Sequence, residues 1–74
     1  MDVSELEFKV EKWTEPKGRI ERLLSVSCNV LIARGAFDVA KDLYPGEYVT
    51  LRIGIRLIAE TNYVPRLERP ARGL

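Results

Sequence analysis

Polar and apolar residues alternate along two stretches of the chain. In 6–13 one side carries Leu6, Phe8 and Val10, and the other carries Glu7, Lys9, Glu11 and Trp13. In 49–60 (VTLRIGIRLIAE) every odd position is apolar. A period of two is typical of a strand with one buried and one open face. We therefore predict strands over 6–13 and roughly 48–60, with two arginines and a glycine on the open face of the later strand.

Residues 20–28 (IERLLSVSC) fit either a strand or a helix. The run of serines before Asn29 disfavours a helix, because serine and asparagine side chains compete for backbone hydrogen bonds. We favour a strand, joined to the first by a turn at 15–19 that contains a proline and a glycine. This strand is expected to direct Leu24, Val26 and Cys28 inward and Leu23 outward.

A helical period begins after Asn29, which is a suitable N-cap. Apolar residues then fall on one stripe, widened by Ile32 and Val39. The stripe consists of Val30, Ala33, Ala36, Phe37, Ala40, Leu43 and Tyr44. Pro45 and Gly46 end the helix, and the strand at 48–60 follows directly.

The predicted fold is α+β with the order β-β-α-β, a three-stranded sheet with one helix packed on one face. Opposite charges favour the strand order 2-1-3, since Glu7 and Glu11 share the open face with Arg52 and Arg56. Pairing of the third strand with the second stays open. We expect a single compact domain over 1–61 and a mobile tail over 62–74, because the tail contains two prolines and no periodicity.

Composition restricts the classes of site that the chain can build. Its 74 residues include one cysteine, Cys28, and no histidine. An intramolecular disulfide is therefore impossible, and no zinc site, other metal or cofactor is expected. The acidic N-terminus does not resemble a secretory signal and the apolar runs are short, so we predict a cytoplasmic protein without a membrane span.

Charge is distributed unevenly although the net charge is only +1. Residues 1–15 hold five acids against two lysines, and residues 48–74 hold five arginines against two glutamates. We favour the interpretation that the two ends lie side by side and neutralise each other. An acidic or basic interaction surface is the alternative.

The segment 28–61 resembles a group of small uncharacterised bacterial proteins with no established activity. In that group an alanine-rich helix ends in a Tyr-Pro-like stop and leads into an Ile-Thr-Leu-Arg-x-Gly-x-Arg strand. The matching residues here are Asn29, Ala33, Arg34, Ala36, Tyr44, Pro45, Thr50, Leu51, Arg52, Gly54 and Arg56. The resemblance covers about half of the chain and supports the fold, without implying a mechanism.

Residue types argue against an enzyme. No histidine is available as a base near neutral pH, and Cys28 has no partner of that kind to activate it. The carboxylates form no isolated pair, and the glycines at 35, 46 and 54 are too far apart for a phosphate-binding loop.

The open face of the sheet is the candidate site, because one helix can cover only one face. Its mixed apolar and charged residues favour a protein-partner interface, and an ordinary solvated face is the alternative. We expect a homodimer, or a complex with another protein, joined through this face or the edge of the third strand. The predicted contacts are Trp13, Leu23, Arg52, Gly54, Arg56 and Ile58. Gly54 is interpreted as a bend in a long strand, or as a notch that receives a partner side chain.

Weak nucleic-acid binding is the alternative function. Arginines on a sheet beside an aromatic residue can hold single-stranded nucleic acid. The residues would be Trp13 with Arg52, Arg56, Arg66, Arg69 and Arg72. Glutamates on the same face repel phosphate, so this binding is disfavoured but not excluded.

Overall fold

The computed structural model describes residues 7–69, which form an α+β fold with one helix and one antiparallel sheet. The strands pair in the order β2-β1-β3-β4. In chain order the elements are β1 (Phe8–Trp13), β2 (Ile20–Ser27), α1 (Val30–Leu43), β3 (Tyr48–Ile53), β4 (Arg56–Glu60) and a short 3₁₀ turn (Arg66–Glu68). The predicted class and the pairing of the third strand with the first are confirmed.

The prediction of three strands is wrong, because the stretch 48–60 folds back on itself. Ile53 pairs with Arg56, which leaves Gly54 and Ile55 as a two-residue hairpin turn. Gly54 has φ +58°, whereas Ile55 lies outside the positive-φ region. Glycine with positive φ at the first central position is the signature of a type II′ turn. The glycine that we interpreted as a bend in one strand is therefore the reversal between two strands.

The β1–β2 hairpin closes as the sequence predicts, but its register is irregular. The backbone N–H of Thr14 donates to the carbonyl of Arg19 at 2.9 Å. Register shifts between Val10 and Glu11, and between Lys12 and Trp13, each place an additional β2 residue in the ladder. Bulges of this kind change which face the following side chains occupy.

These shifts overturn two of the three inward positions predicted for the second strand. Leu24 packs against the core. Val26 pairs with Lys9 on the opposite face and is exposed, and Cys28 lies beyond the strand and is also exposed. Strict alternation failed here because a bulge adds one residue to one strand only.

Helix α1 begins as predicted at Asn29. The Asn29 side chain accepts hydrogen bonds from the backbone N–H groups of Leu31 and Ile32, at 2.8 and 3.2 Å. Its buried face consists of Ala33, Phe37 and Ala40, which pack on Val10, Val49 and Leu51 of the two central strands. The small alanines let the helix lie close to the sheet. Among residues 7–69, these six side chains form the buried apolar core.

The apolar stripe of α1 is broader than the core it covers. Ile32 is 64% exposed, Val39 is 57% exposed, and Leu43 also faces solvent. With Ala36 they follow the spacing 32, 36, 39 and 43, which is the 4-3-4 pattern of a helix–helix seam. We name these four residues the outer stripe.

The segment after β4 runs beside the start of β3. Backbone N–H groups of Thr61 and Val64 donate to the carbonyls of Val49 and Gly46. The Arg69 guanidinium donates to the Val64 and Gly46 carbonyls at 2.6 and 3.0 Å. Residues 61–69 therefore make specific contacts with the domain, whereas the rest of the predicted mobile tail, at 70–74, lies outside the described residues.

Replacing Gly54 by alanine should destabilise the fold by about 1 kcal/mol, because positive φ is unfavourable for a residue with a Cβ. An added Cβ meets no atom within 4 Å, so the loss comes from the backbone alone. The matched control is Gly35→Ala, which also has open space but lies within a helix, where alanine gains about 0.5–1 kcal/mol. Urea unfolding measures both variants, and equal stabilities would contradict the turn assignment.

Candidate functional site

The face of the sheet opposite α1 is uncovered by any other described element. Cross-strand neighbours share a face of a sheet, so the register identifies its members. They are Lys9, Glu11 and Trp13 of β1, Ile20, Leu23 and Val26 of β2, Tyr48, Thr50 and Arg52 of β3, and Leu57 and Glu60 of β4. We call this set the open face.

An ion pair between β1 and β3 lies at the centre of the open face. Arg52 donates from Nε and Nη2 to the two carboxylate oxygens of Glu11, at 2.6 and 3.1 Å. Glu11 is only 4% exposed although no helix covers it. The neighbouring side chains must therefore shield it. The bidentate pair satisfies both oxygens of this buried carboxylate.

Trp13 extends this cluster across the central strands. Its Nε1 donates to Thr50 Oγ1 at 2.8 Å, and Thr50 is 1% exposed. The Arg52 guanidinium lies 5.4 Å from the indole centroid, within cation–π range. The Tyr48 ring lies 6.3 Å from the indole at an angle of 59°. The side chains of Trp13 and Arg52 thus cover the Thr50 hydroxyl and the Glu11 carboxylate.

The cluster ends at β4, where the Tyr48 hydroxyl donates to Glu60 Oε2 at 3.1 Å. Burial raises the pKa of Tyr48 above its ordinary value of 10.0, and the nearby Glu60 carboxylate raises it further. The hydrogen bonds to Glu11 raise the pKa of Arg52, which stays protonated. The charges of Arg52 and Glu11 compensate each other, so the cluster stabilises the sheet.

Beside the cluster, β2 presents an apolar row to solvent. Ile20, Leu23 and Val26 are 44%, 52% and 46% exposed. A row of large apolar side chains on one strand differs from the single exposed hydrophobes of an ordinary surface. We call these three residues the β2 row.

The residues predicted for the partner interface do not all lie on the open face. Trp13, Leu23 and Arg52 share the open face, although Arg52 is engaged with Glu11. Arg56 pairs with Ile53 and therefore points to the helix side, and Ile58 packs against the core. Their predicted positions on the open face are wrong, because the Gly54 turn and a bulge after Leu57 reverse the alternation.

The arginines proposed for nucleic-acid binding also do not form one cluster. Arg66 and Arg69 both contact Glu47 Oε1, at 3.3 and 3.2 Å, and Arg52 is held by Glu11. Arg56 lies on the other side of the sheet, and Arg72 lies outside the described residues. No common basic surface therefore joins this set within residues 7–69.

Sequence reasoning missed Tyr48 and two members of the β2 row, whereas the alternation correctly placed Thr50 and Glu60 on the open face. Tyr48 continues the same alternation, so its position could have been identified. The exposure of Ile20 and Val26 could not, since the β2 bulges leave no signature in local periodicity.

Comparison with known proteins gives no match to a family model, a curated protein or a solved structure. The resemblance to small bacterial proteins therefore stays a prediction. Within residues 7–69, no three His, Cys, Asp or Glu side chains come together as a metal site. No helix in this part of the chain is long and apolar enough to cross a membrane.

Replacing Arg52 by methionine should cost about 2 kcal/mol of folding free energy, because it leaves the Glu11 carboxylate buried without a partner. Arg56→Met is the matched control. Arg56 is exposed and forms no ion pair within the described residues, so its loss should change stability by less than about 0.5 kcal/mol. Chemical denaturation measures both variants, and a similar effect of the two substitutions would contradict the role of the ion pair.

The Tyr48 phenol should titrate above pH 10.0, because burial and Glu60 both favour its neutral form. Since the folded-state pKa is raised, this contribution to stability is complete below pH 10 and is lost as the pH rises through the folded-state pKa. NMR titration of ¹³Cζ-labelled tyrosine measures the pKa directly. Glu60→Gln should lower the pKa of Tyr48 only in part, since burial remains. A Tyr48 midpoint at or below 10.0 would exclude this environment.

Proposed function

We propose that the protein is a non-enzymatic interaction module whose partner is a second copy of the same chain, bound through the β2 side of the domain. The observation that carries the proposal is the convergence of three exposed features on that side. They are the unpaired edge of β2, the β2 row on the open face, and the outer stripe of α1. Contact with an identical surface would pair the backbone groups of the strand edge and bury the apolar side chains of the β2 row and the outer stripe.

The first feature is the outer edge of β2. This strand lies at the end of the sheet and spans eight residues. Its outward N–H and C=O groups form a template for another strand. The other edge, β4, has only five residues, which makes it a shorter template. The edge of the third strand, considered from sequence, is occupied by β4.

The second feature is the outer stripe, whose side of the helix follows from Arg34. Arg34 lines a groove together with residues of β3 and β4, so its flank of α1 faces β4. At about 100° per residue, Ile32 and Val39 are rotated by about 160° and 140° from Arg34. Ile32 and Val39 of the outer stripe therefore face the β2 side of the sheet.

A two-fold axis perpendicular to the sheet engages all three features at once. It pairs β2 with its symmetry mate in an antiparallel manner and extends the sheet to eight strands. The two copies of α1 then lie on the same face, side by side and antiparallel, with their outer stripes in contact. Such an interface is isologous and closed, as expected of a soluble dimer. Ala36 lies within the outer stripe, and its small side chain permits close approach of the helices.

Domain size gives an independent reason for association. A chain of this length buries only about 60–65% of its unfolded surface, less than a larger domain does, and only six apolar side chains form the buried core of residues 7–69. Covering the β2 row and the outer stripe adds buried apolar area, at about 25 cal/mol per Å².

Sedimentation equilibrium over a hundredfold concentration range should give twice the 8.5 kDa mass of the chain. Leu23→Lys and Val39→Lys alter the β2 row and the outer stripe respectively. Each should raise the dimer dissociation constant at least about tenfold, because a lysine ammonium must be desolvated in the interface.

Ile55→Lys is the matched control, because Ile55 is 99% exposed at the β3–β4 turn, away from β2. Circular dichroism melts establish that all three variants fold. A monomeric wild-type chain, or an Ile55 variant that dissociates as readily as the Leu23 variant, would overturn the proposal.

A further inference from the structure

A concave surface lies on the flank of α1 opposite the proposed dimer interface. It is a groove of about 500 Å³ between the N-terminal half of α1 and the β3–β4 hairpin. Its lining residues are Phe8, Arg34, Ile53, Arg56, Leu57 and Ile58. We call it the arginine groove. Its volume lies within the range of small-molecule sites, about 300–1,000 Å³.

The two arginines of the groove differ from the arginines that the fold holds in ion pairs. Arg52 is paired with Glu11, and Arg69 with Glu47. Arg34 and Arg56 make no ion pair within residues 7–69, and no carboxylate lines the groove. Two guanidinium groups from separate elements therefore border one concavity without compensating charge.

Apolar side chains form the remainder of the groove. Phe8 and Ile58 are partly buried and pack against the core, and Ile53 lies between them on the central strands. A guanidinium binds a carboxylate through two parallel hydrogen bonds, and an apolar wall beside it favours an alkyl chain.

From this combination we propose that the arginine groove binds an amphipathic carboxylate, an alkyl chain with a single anionic head. The carboxylate contacts Arg34 and Arg56, and the chain lies along Phe8, Ile53 and Ile58. A small ligand fits better than an added peptide strand, because β4 is short and bulged and so presents little regular backbone for pairing.

The test is a titration of the wild-type chain with decanoate below its micellar concentration, followed by methyl and amide NMR shifts. Saturable shifts are expected at Ile53, Ile58 and Arg56, with no change in Trp13 fluorescence, because Trp13 lies on the other face of the sheet. Decylammonium carries the same chain with the opposite charge and should bind at least tenfold more weakly.

Arg34→Gln and Arg56→Gln should each weaken decanoate binding about tenfold, the loss expected for a charge-assisted hydrogen bond. Arg19→Gln, an exposed arginine at the β1–β2 turn, is the control and should leave the affinity unchanged. Equal binding of decanoate and decylammonium, shifts confined to Ile32 and Val39, or no saturable shift would each overturn the proposal. None of these results depends on whether the chain dimerises, since the groove and the β2 side lie on opposite flanks of α1.

Discussion

One helix cannot cover both faces of a four-stranded sheet. The fold of this protein therefore depends on how the polar groups of the uncovered face are shielded from solvent. The open face shields its own polar centre. Arg52 and Trp13 lie over Glu11 and Thr50, which are almost fully buried although no secondary-structure element covers them. Within the described residues no buried side-chain nitrogen or oxygen lacks a hydrogen-bond partner. The sheet therefore tolerates an uncovered face because hydrogen bonds between the central strands replace a second layer.

These hydrogen bonds join the central strands only. The two flanks of the domain, at β2 and at β4, differ from each other. On the β2 side, apolar residues of both the sheet and the helix face solvent, and the strand edge has no partner within residues 7–69. On the β4 side, a short bulged edge and two arginines border an apolar groove. We propose an identical surface as the partner of the first flank and a small anionic ligand for the second, because their areas, charges and backbone edges differ.

Four local irregularities, the Gly54 turn and three register shifts, determine which residues occupy each surface. Positive φ at Gly54 reverses the chain after Ile53, and shifts in the β2 and β4 ladders each insert an extra residue. A single inserted residue transfers all following side chains to the opposite face. The exposure of Val26 and the helix-side positions of Arg56 and Ile58 follow from these irregularities.

Local sequence determined the α+β class, the N-cap at Asn29, the end of the helix before Pro45 and the strand positions, since these depend on periodicity and capping within a few residues. Opposite charges also indicated that the third strand pairs with the first. Only the tertiary structure decided that 48–60 forms a hairpin, because apolar and polar residues alternate through positions 54 and 55 of the sequence without a break that would mark the turn. It also decided which apolar residues remain exposed. The position of a bulge, and the part of the helix that packs on the sheet, depend on contacts between distant segments.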